Sequence, residues 1–566
     1  MITLRSIKPT QDCSGSTERT CRAYARYQPR TLIDSSNFKQ KAAEAFSAYL
    51  CDNRCSLNLV RFFMRLCKQF FLWILLGYHA FAHANIYQYF ETIKTDPNAL
   101  YAFLRAMPKG GELHYHLAGG AYPETMLALA SQGDYCLDKI SLGISKTTER
   151  CVGVKSAELL QQPALYNRVI RAWSLKDFIP GEESGHDHFF ASFYKFMPIV
   201  FAYRPQLLAE IMQRAASQHE QYLEIMILPD NAQSTTFAPQ NISPANFAAT
   251  SKQLLADKAF QANVKHTIDV AQELLQKARK ELGCDKAPFQ DVCQLTVRFQ
   301  YYVLREQAPE KVFSQALNAF TAASQSKEIV GVNLVQAESA PISLQNYHKQ
   351  MEIFAFMHQL YPKVHIALHA GELAPEAVLP EDLRFHINEA VTLGHAERIG
   401  HGVDIAFENN AEALLKTMAN KQIAVEINLT SNKKLLNIAG KKHPLRFYIA
   451  HQVPVVLSTD DEGILRTDLT RQYVQAVLNH GIDYPTLKMI NRNALTYSFL
   501  PGESIWADAA TAKPVPACKD LNSAACLEFV EKNEKARLQQ QLENKLAAFE
   551  KNYISVVKPI PVKAYN

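Results

Sequence analysis

Val364–Glu372 reads VHIALHAGE, a short apolar run that stops on a histidine, a glycine and an acid. Val, Ile and Leu without polar alternation predict a strand covered on both faces, and the glycine after it predicts a turn. The same grammar recurs downstream. Arg398–Gly402 (RIGHG) ends on a histidine between glycines, Ile423–Asn428 (IAVEIN) on an asparagine, and Val453–Ser458 (VPVVLS) runs into Thr459-Asp460-Asp461-Glu462. Upstream, Glu112–Leu117, Tyr222–Leu228, Leu295–Leu304 and Ile329–Val335 complete a set of eight strands with Val364–His369.

Helical stretches separate these runs. Strands alternating with helices predict an α/β fold, a (β/α)8 TIM-type barrel, which can exceed roughly 250 residues as one domain. Two connections, 119–221 and 229–294, are too long for one helix each, so helical insertions are expected after strands 1 and 2. The first insertion, which holds Cys136 and Cys151, is a candidate subdomain. Glu528–Tyr553 is charged and helical in pattern and predicts a C-terminal helix on the outside. The barrel with its insertions is thus expected over 85–510, and a helical tail over 511–566.

The N-terminal segment carries a different message. Met64-Arg65-Leu66-Cys67-Lys68 is basic, Phe70–Tyr78 (FFLWILLGY) is apolar, and Ala82-His83-Ala84 has the small-x-small form of a signal peptidase site. The apolar run falls short of the roughly 20 residues that span a bilayer. Residues 64–84 are therefore expected to be a cleaved signal peptide that leaves no stable membrane anchor, with 1–63 an upstream extension outside the true start. A periplasmic or secreted protein is expected. The 566-residue chain has a formal charge of +5, but residues 1–84 hold 12 Lys/Arg against 5 Asp/Glu. The remainder, with 48 basic against 50 acidic residues, offers no basic stripe for nucleic acid. After Ala84 the six cysteines fall into three sequence-local pairs, as expected in an oxidising compartment. Six cysteines allow about 15 connectivities, so the pairing stays open.

Four polar clusters fall at the C-terminal ends of predicted strands, where barrels of this kind place their active sites. His114 and His116 point to the same face of a strand and can reach one metal ion. The spacing alone is not specific, since His186-Asp187-His188 has it too. His369 can add a third nitrogen ligand, with Glu372 hanging over the metal without binding it. His401 stands at another strand end. Of the adjacent acids Asp460 and Asp461, one can ligate the metal while its neighbour faces substrate.

Met107-Pro108-Lys109-Gly110 with Leu113-His114-Tyr115-His116-Leu117, then His369-Ala370-Gly371-Glu372, Arg398–Gly402, Asn428–Asn432 and Ser458–Asp461, resembles the motifs of the adenosine deaminase family in that family's order. The signal segment and the cysteine-bearing insertion look nearer to the secreted adenosine deaminase growth factor branch. The resemblance implies one zinc ion per chain on His114, His116, His369 and Asp460, lowering the pKa of a bound water toward about 7. It implies Glu372 as proton donor to purine N1, His401 as the group stabilising charge at the tetrahedral carbon, and Asp461 on N7. The implied reaction is hydrolytic deamination of adenosine or 2′-deoxyadenosine. Two positions depart from the family pattern: Ala118 stands where an acid binds the ribose, and Gln336 where a glycine meets purine N3. Gln336 is expected either to fill part of the pocket or to bond to substrate. Trp173, Glu182, Glu183, His186 and His188 are candidate substitutes from the insertion. These departures keep open a different aminopurine, or a related amidohydrolase-type reaction. Retention of every ligand and of Glu372 argues against a non-enzymatic barrel.

Overall fold

The computed structural model describes residues 86–554 apart from Thr148 and Glu149. The upstream extension and the signal segment lie outside the described residues. Eight parallel strands follow one another in chain order around a single sheet: β1 (Lys109–His116), β2 (Glu220–Ile227), β3 (Thr296–Leu304), β4 (Ile329–Val335), β5 (His365–Ala370), β6 (Arg398–His401), β7 (Ala424–Ile427) and β8 (Val455–Leu457). β8 is short, and a bridge just beyond it joins the sheet's two edges. His116 N donates to Asp460 O at 3.1 Å and Asp460 N to His114 O at 3.2 Å. The backbone that closes the barrel is therefore the backbone that carries three of the four predicted ligands, His114, His116 and Asp460. Each strand overlaps one predicted from the apolar runs. Continuous Val/Ile/Leu stretches are stable as strands only where helices cover the outer face, as they do here.

The first insertion contains more than helices. A three-stranded antiparallel patch (Tyr135–Leu137, Ile144–Lys146, Val154–Lys155) is stapled by Cys136–Cys151. The long helix Gly185–Ser217 then crosses the mouth of the barrel, kinked at Tyr203 between Pro198 and Pro205. Proline removes a helix donor and crowds the preceding turn, which accounts for the break. Cys284–Cys293 and Cys518–Cys526 complete three local pairs.

The C-terminal segment expected as one helix is two, Ala524–Lys532 and Glu534–Ile554. Asn533 between them is extended, and its side-chain oxygen accepts from Glu503 N at 2.8 Å. That bond to a distant turn outcompetes helix continuation, a tertiary choice that local pattern does not encode. Arg492 forks onto Glu543 at 2.7 and 2.6 Å and fixes the last helix to the barrel. Among the described residues no helix is long and apolar enough to cross a membrane.

Candidate active site

The strand-end clusters converge. One ligand atom from each of His114, His116, His369 and Asp460 lies within 4.8 Å of all the others. His116 Nε2 is 3.2 Å from His369 Nε2, and Asp460 Oδ1 is 3.4 Å from His114 Nε2 and 3.3 Å from His116 Nε2. His114 Nε2 is buried with no hydrogen bond, aimed at this point. Burial pushes His116 down to about 3, against the pull of Asp460, and holds His369 well below its ordinary value. Both rings are thus neutral, the state in which imidazole binds a cation. His114 is held up at about 9, because Asp460 and Glu426 outweigh its burial. The centre therefore draws positive charge to itself. Three imidazoles and one carboxylate are a donor set that fits a metal ion.

Partners behind the ligands orient them. Glu426 Oε2 takes His114 Nδ1 at 2.7 Å, and Asn333 Oδ1 takes His369 Nδ1 at 2.9 Å. Each leaves the opposite ring nitrogen facing the centre, which fixes the tautomer the ring takes when it is neutral. Glu426 itself is braced by Arg398 Nε at 2.6 Å, and Arg398 also pairs with Glu224. Sequence reading missed Glu426 and Arg398; a buried acid and arginine on neighbouring core strands was the available signal.

Glu372, His401 and Asp460 also lie within 4.8 Å of one another. Glu372 leaves β5 through Gly371, whose φ of 75° favours glycine. Glu338 then receives both turn amides, Gly371 N at 3.1 Å and Glu372 N at 2.7 Å. Burial, with Asp460 and Glu338 nearby, holds the Glu372 carboxyl well above the usual range, so it keeps a proton to give. His401 Nδ1 donates to Asn432 Oδ1 at 3.0 Å, and burial lowers the imidazole to about 4. Its φ of 68°, like that of Asp460, is uncommon outside glycine. Such conformations persist where packing over-determines them, and they gather at functional sites.

Asp461 turns toward the cavity, and a side-chain carbon on Gly119 would come within 1.8 Å of its Oδ1. Burial and the neighbouring Asp460 hold its carboxyl well above the usual range. Behind it, Glu462 Oε2 accepts from Tyr115 OH at 2.7 Å and pairs with Arg214 at 2.5 Å. Arg214 also donates to Gly120 O at 2.7 Å. The end of the insertion helix thereby clamps the turn after β1 to the turn after β8.

Residues 180–506, more than half of the chain, match the profile of the family described as adenosine deaminase. The chain belongs to the adenosine deaminase family. The matched span holds Gln336, His369, Glu372, His401, Asp460 and Asp461, while β1 with His114 and His116 precedes it. Adenosine deaminases of Escherichia coli strains SMS-3-5 / SECEC and SE11 are each 36% identical over 140 residues. The match covers 25% of this chain and 39% of each relative. Among solved structures, adenine deaminase of Arthrobacter aurescens is 17% identical at a TM-score of 0.48, covering 78% of this chain and 99% of that one. The N6-methyl-AMP deaminase of Arabidopsis thaliana is 19% identical at a TM-score of 0.42, covering 70% and 94%.

In this adenosine deaminase family member a cavity of about 1100 Å³ opens above the candidate metal centre. His116, His369, Glu372, His401, Asp460 and Asp461 form its floor, and Ala118 and Gln336 lie in its wall. His114 lies beneath and does not line it. Of the five insertion candidates only His186 reaches the cavity, its Nε2 3.1 Å from Ser339 Oγ. Trp173 is buried and donates to Leu142 O at 2.7 Å; His188 bonds Glu183 at 2.9 Å and Arg171 O at 2.9 Å. These three serve packing of the insertion, and Glu182 is exposed away from the lining. Gln336 fills part of the wall, with Oε1 accepting from Glu306 N at 3.0 Å. Phe190, Phe193, Tyr194 and Met197 form an apolar wall that sequence reading did not assign. Their helical spacing was visible; that the helix crosses the barrel mouth was not.

Proposed function

We propose that this chain hydrolyses the exocyclic amine of adenosine or 2′-deoxyadenosine, giving the 6-oxo nucleoside and ammonia, with one zinc ion per chain. The observation that carries this reading is the meeting of His114, His116, His369 and Asp460 at one point beside Glu372. Zinc bound there would supply a water of lowered pKa as nucleophile. Glu372, protonated, would donate to purine N1, so that negative charge does not accumulate on the ring as C6 becomes tetrahedral. It would recover a proton from the incoming water and pass it to the departing amine. His401, neutral and held by Asn432, would stabilise charge at the tetrahedral carbon. Asp461, protonated, would donate to N7, which has only a lone pair to offer.

No Lys or Arg lines the cavity among the described residues, whereas Asp187, Glu306 and Glu376 do. That favours an uncharged nucleoside over a nucleotide, whose phosphate would meet acids without counter-charge. A free aminopurine base is the second reading, favoured by the loss of the ribose acid at Ala118. Ultraviolet absorbance with adenosine, 2′-deoxyadenosine, adenine and AMP, with and without a chelator, separates the readings. Chelator-sensitive conversion of the nucleosides is expected. Turnover of adenine alone would replace the first reading by the second, and inactivity of zinc-loaded protein on all four would remove both.

We also propose export, supported by the basic-apolar-small pattern of 64–84 and by three disulfides that an oxidising compartment would maintain. N-terminal sequencing of the native protein is expected to begin at Asn85, and a mature chain retaining earlier residues would refute it.

A further inference from the structure

Beyond the metal centre the cavity wall holds three more carboxylates, and one is both shielded and available. Asp187 and Glu376 are exposed, and Asp187 already bonds His186. Glu306, half-buried two residues beyond β3, differs. Its Oε1 accepts from Ala337 N at 3.1 Å while its own backbone N–H donates to Gln336 Oε1 at 3.0 Å. This reciprocal pair of bonds latches the ends of β3 and β4 together. It also sets which end of the Gln336 amide is which, leaving Nε2 over. Glu306 Oε2 and Gln336 Nε2 have no partner among the described residues, and both side chains line the cavity.

A free acceptor beside a free amide donor is the complement of a hydroxyl, which donates and accepts at once. A phosphate would be repelled by the carboxylate, and a bare purine carries no hydroxyl to offer. Gln336 holds a φ of 86°, a conformation that disfavours any residue but glycine. A side chain kept at that cost needs a task, and holding the Glu306 backbone while presenting Nε2 to the cavity supplies one.

Resting on the deaminase reading above, we propose that Glu306 Oε2 and Gln336 Nε2 together bind a sugar hydroxyl of the substrate, Glu306 accepting from it and Gln336 donating to it. The pair thus does the work of the acid absent at Ala118, from β3 and β4 rather than from β1. Glu306 is a specificity determinant and takes no part in proton transfer to the ring.

The test uses the full zinc-loaded chain and the variants Glu306→Ala, Glu306→Gln and Gln336→Gly. Substrates are adenosine, 5′-deoxyadenosine and 2′,3′-dideoxyadenosine; the same proteins are titrated calorimetrically with purine riboside and with purine. A hydrogen bond to a charged group contributes enough that Glu306→Ala should lower kcat/KM for adenosine about 10- to 100-fold. The analogue lacking the recognised hydroxyl should change by no more than about twofold between wild type and variant. Gln336→Gly should show a smaller loss with the same substrate pattern, bound zinc should stay at the wild-type level in all variants, and the loss in kcat/KM should not follow any change in Tm. Equal losses on every substrate, or none, would overturn the proposal. Wild-type protein that binds purine riboside through Glu306 yet turns over nothing would remove the deaminase reading and leave this inference. Turnover indifferent to Glu306 would do the reverse, and protein that neither binds nor turns over would end both.

Discussion

Glu426 offers the sharpest perturbation of the metal centre, because it touches neither solvent nor cavity. Its side chain is fully buried, with Oε2 on His114 Nδ1 at 2.7 Å and Oε1 on Arg398 Nε at 2.6 Å. Burial alone would raise this carboxyl, but Arg398 and His114 outweigh it and hold it below its ordinary value. Glu426→Gln keeps the shape and removes the charge. One end of the new amide is a donor, so either His114 or Arg398 must face a donor instead of an acceptor. Loss of such an orienting partner weakens metal binding by about 10- to 100-fold, or about 1.4–2.8 kcal/mol. Arg398 retains Glu224, the Tyr497 carbonyl and the face of Phe499, so its charge is not stranded. The stability loss should therefore stay below the roughly 3–5 kcal/mol that follows when a buried pair is broken outright. Competition for zinc with a chromophoric chelator, alongside calorimetry of metal-free and loaded protein, gives both quantities. The gain in Tm on loading should shrink in the variant, since weaker binding stabilises the native state less. Zinc affinity within about twofold of wild type would refute the claim that Glu426 orients a ligand.

Three further outcomes are expected. Gly119→Ala places a carbon against Asp461 Oδ1, and displacing that carboxyl should lower kcat/KM on the order of 10²-fold with zinc retained; activity assays with metal analysis check it. Arg214→Met strands Glu462, which is 4% exposed at its side chain, and should destabilise the fold by on the order of 3 kcal/mol in urea titrations; Glu462→Gln should cost less. Burial raises Glu408 to about 7 despite the bond from Asn388 N, so the native protein holds a proton there that the unfolded chain releases above its ordinary value near 4.5. This group's stabilising effect is complete below that ordinary value and declines between it and about 7, by roughly 1–3 kcal/mol. Urea midpoints of Glu408→Gln should fall less than those of wild type across that window; parallel curves would contradict the assignment.

The sequence alone determined the barrel and the floor of its site. Runs such as VHIALHA are stable only as doubly covered strands, and a parallel strand sequence delivers its end residues to one rim. His114 and His116, two apart on a strand, must share a face, so their convergence was legible before any fold. His186 and His188 have the same spacing on the helix Gly185–Ser217, and there the outcome reverses. At about 3.6 residues per turn, a step of two carries a side chain to the far flank, so His186 reaches the cavity while His188 packs behind it. The walls were likewise decided in three dimensions. Glu306 and Gln336 are thirty residues apart in the chain, and neighbouring strands bring Glu306 into bonds with the Gln336 side chain and the Ala337 amide. Periodicity settles which way a side chain leaves its own element; only the packing of distant elements settles what it meets.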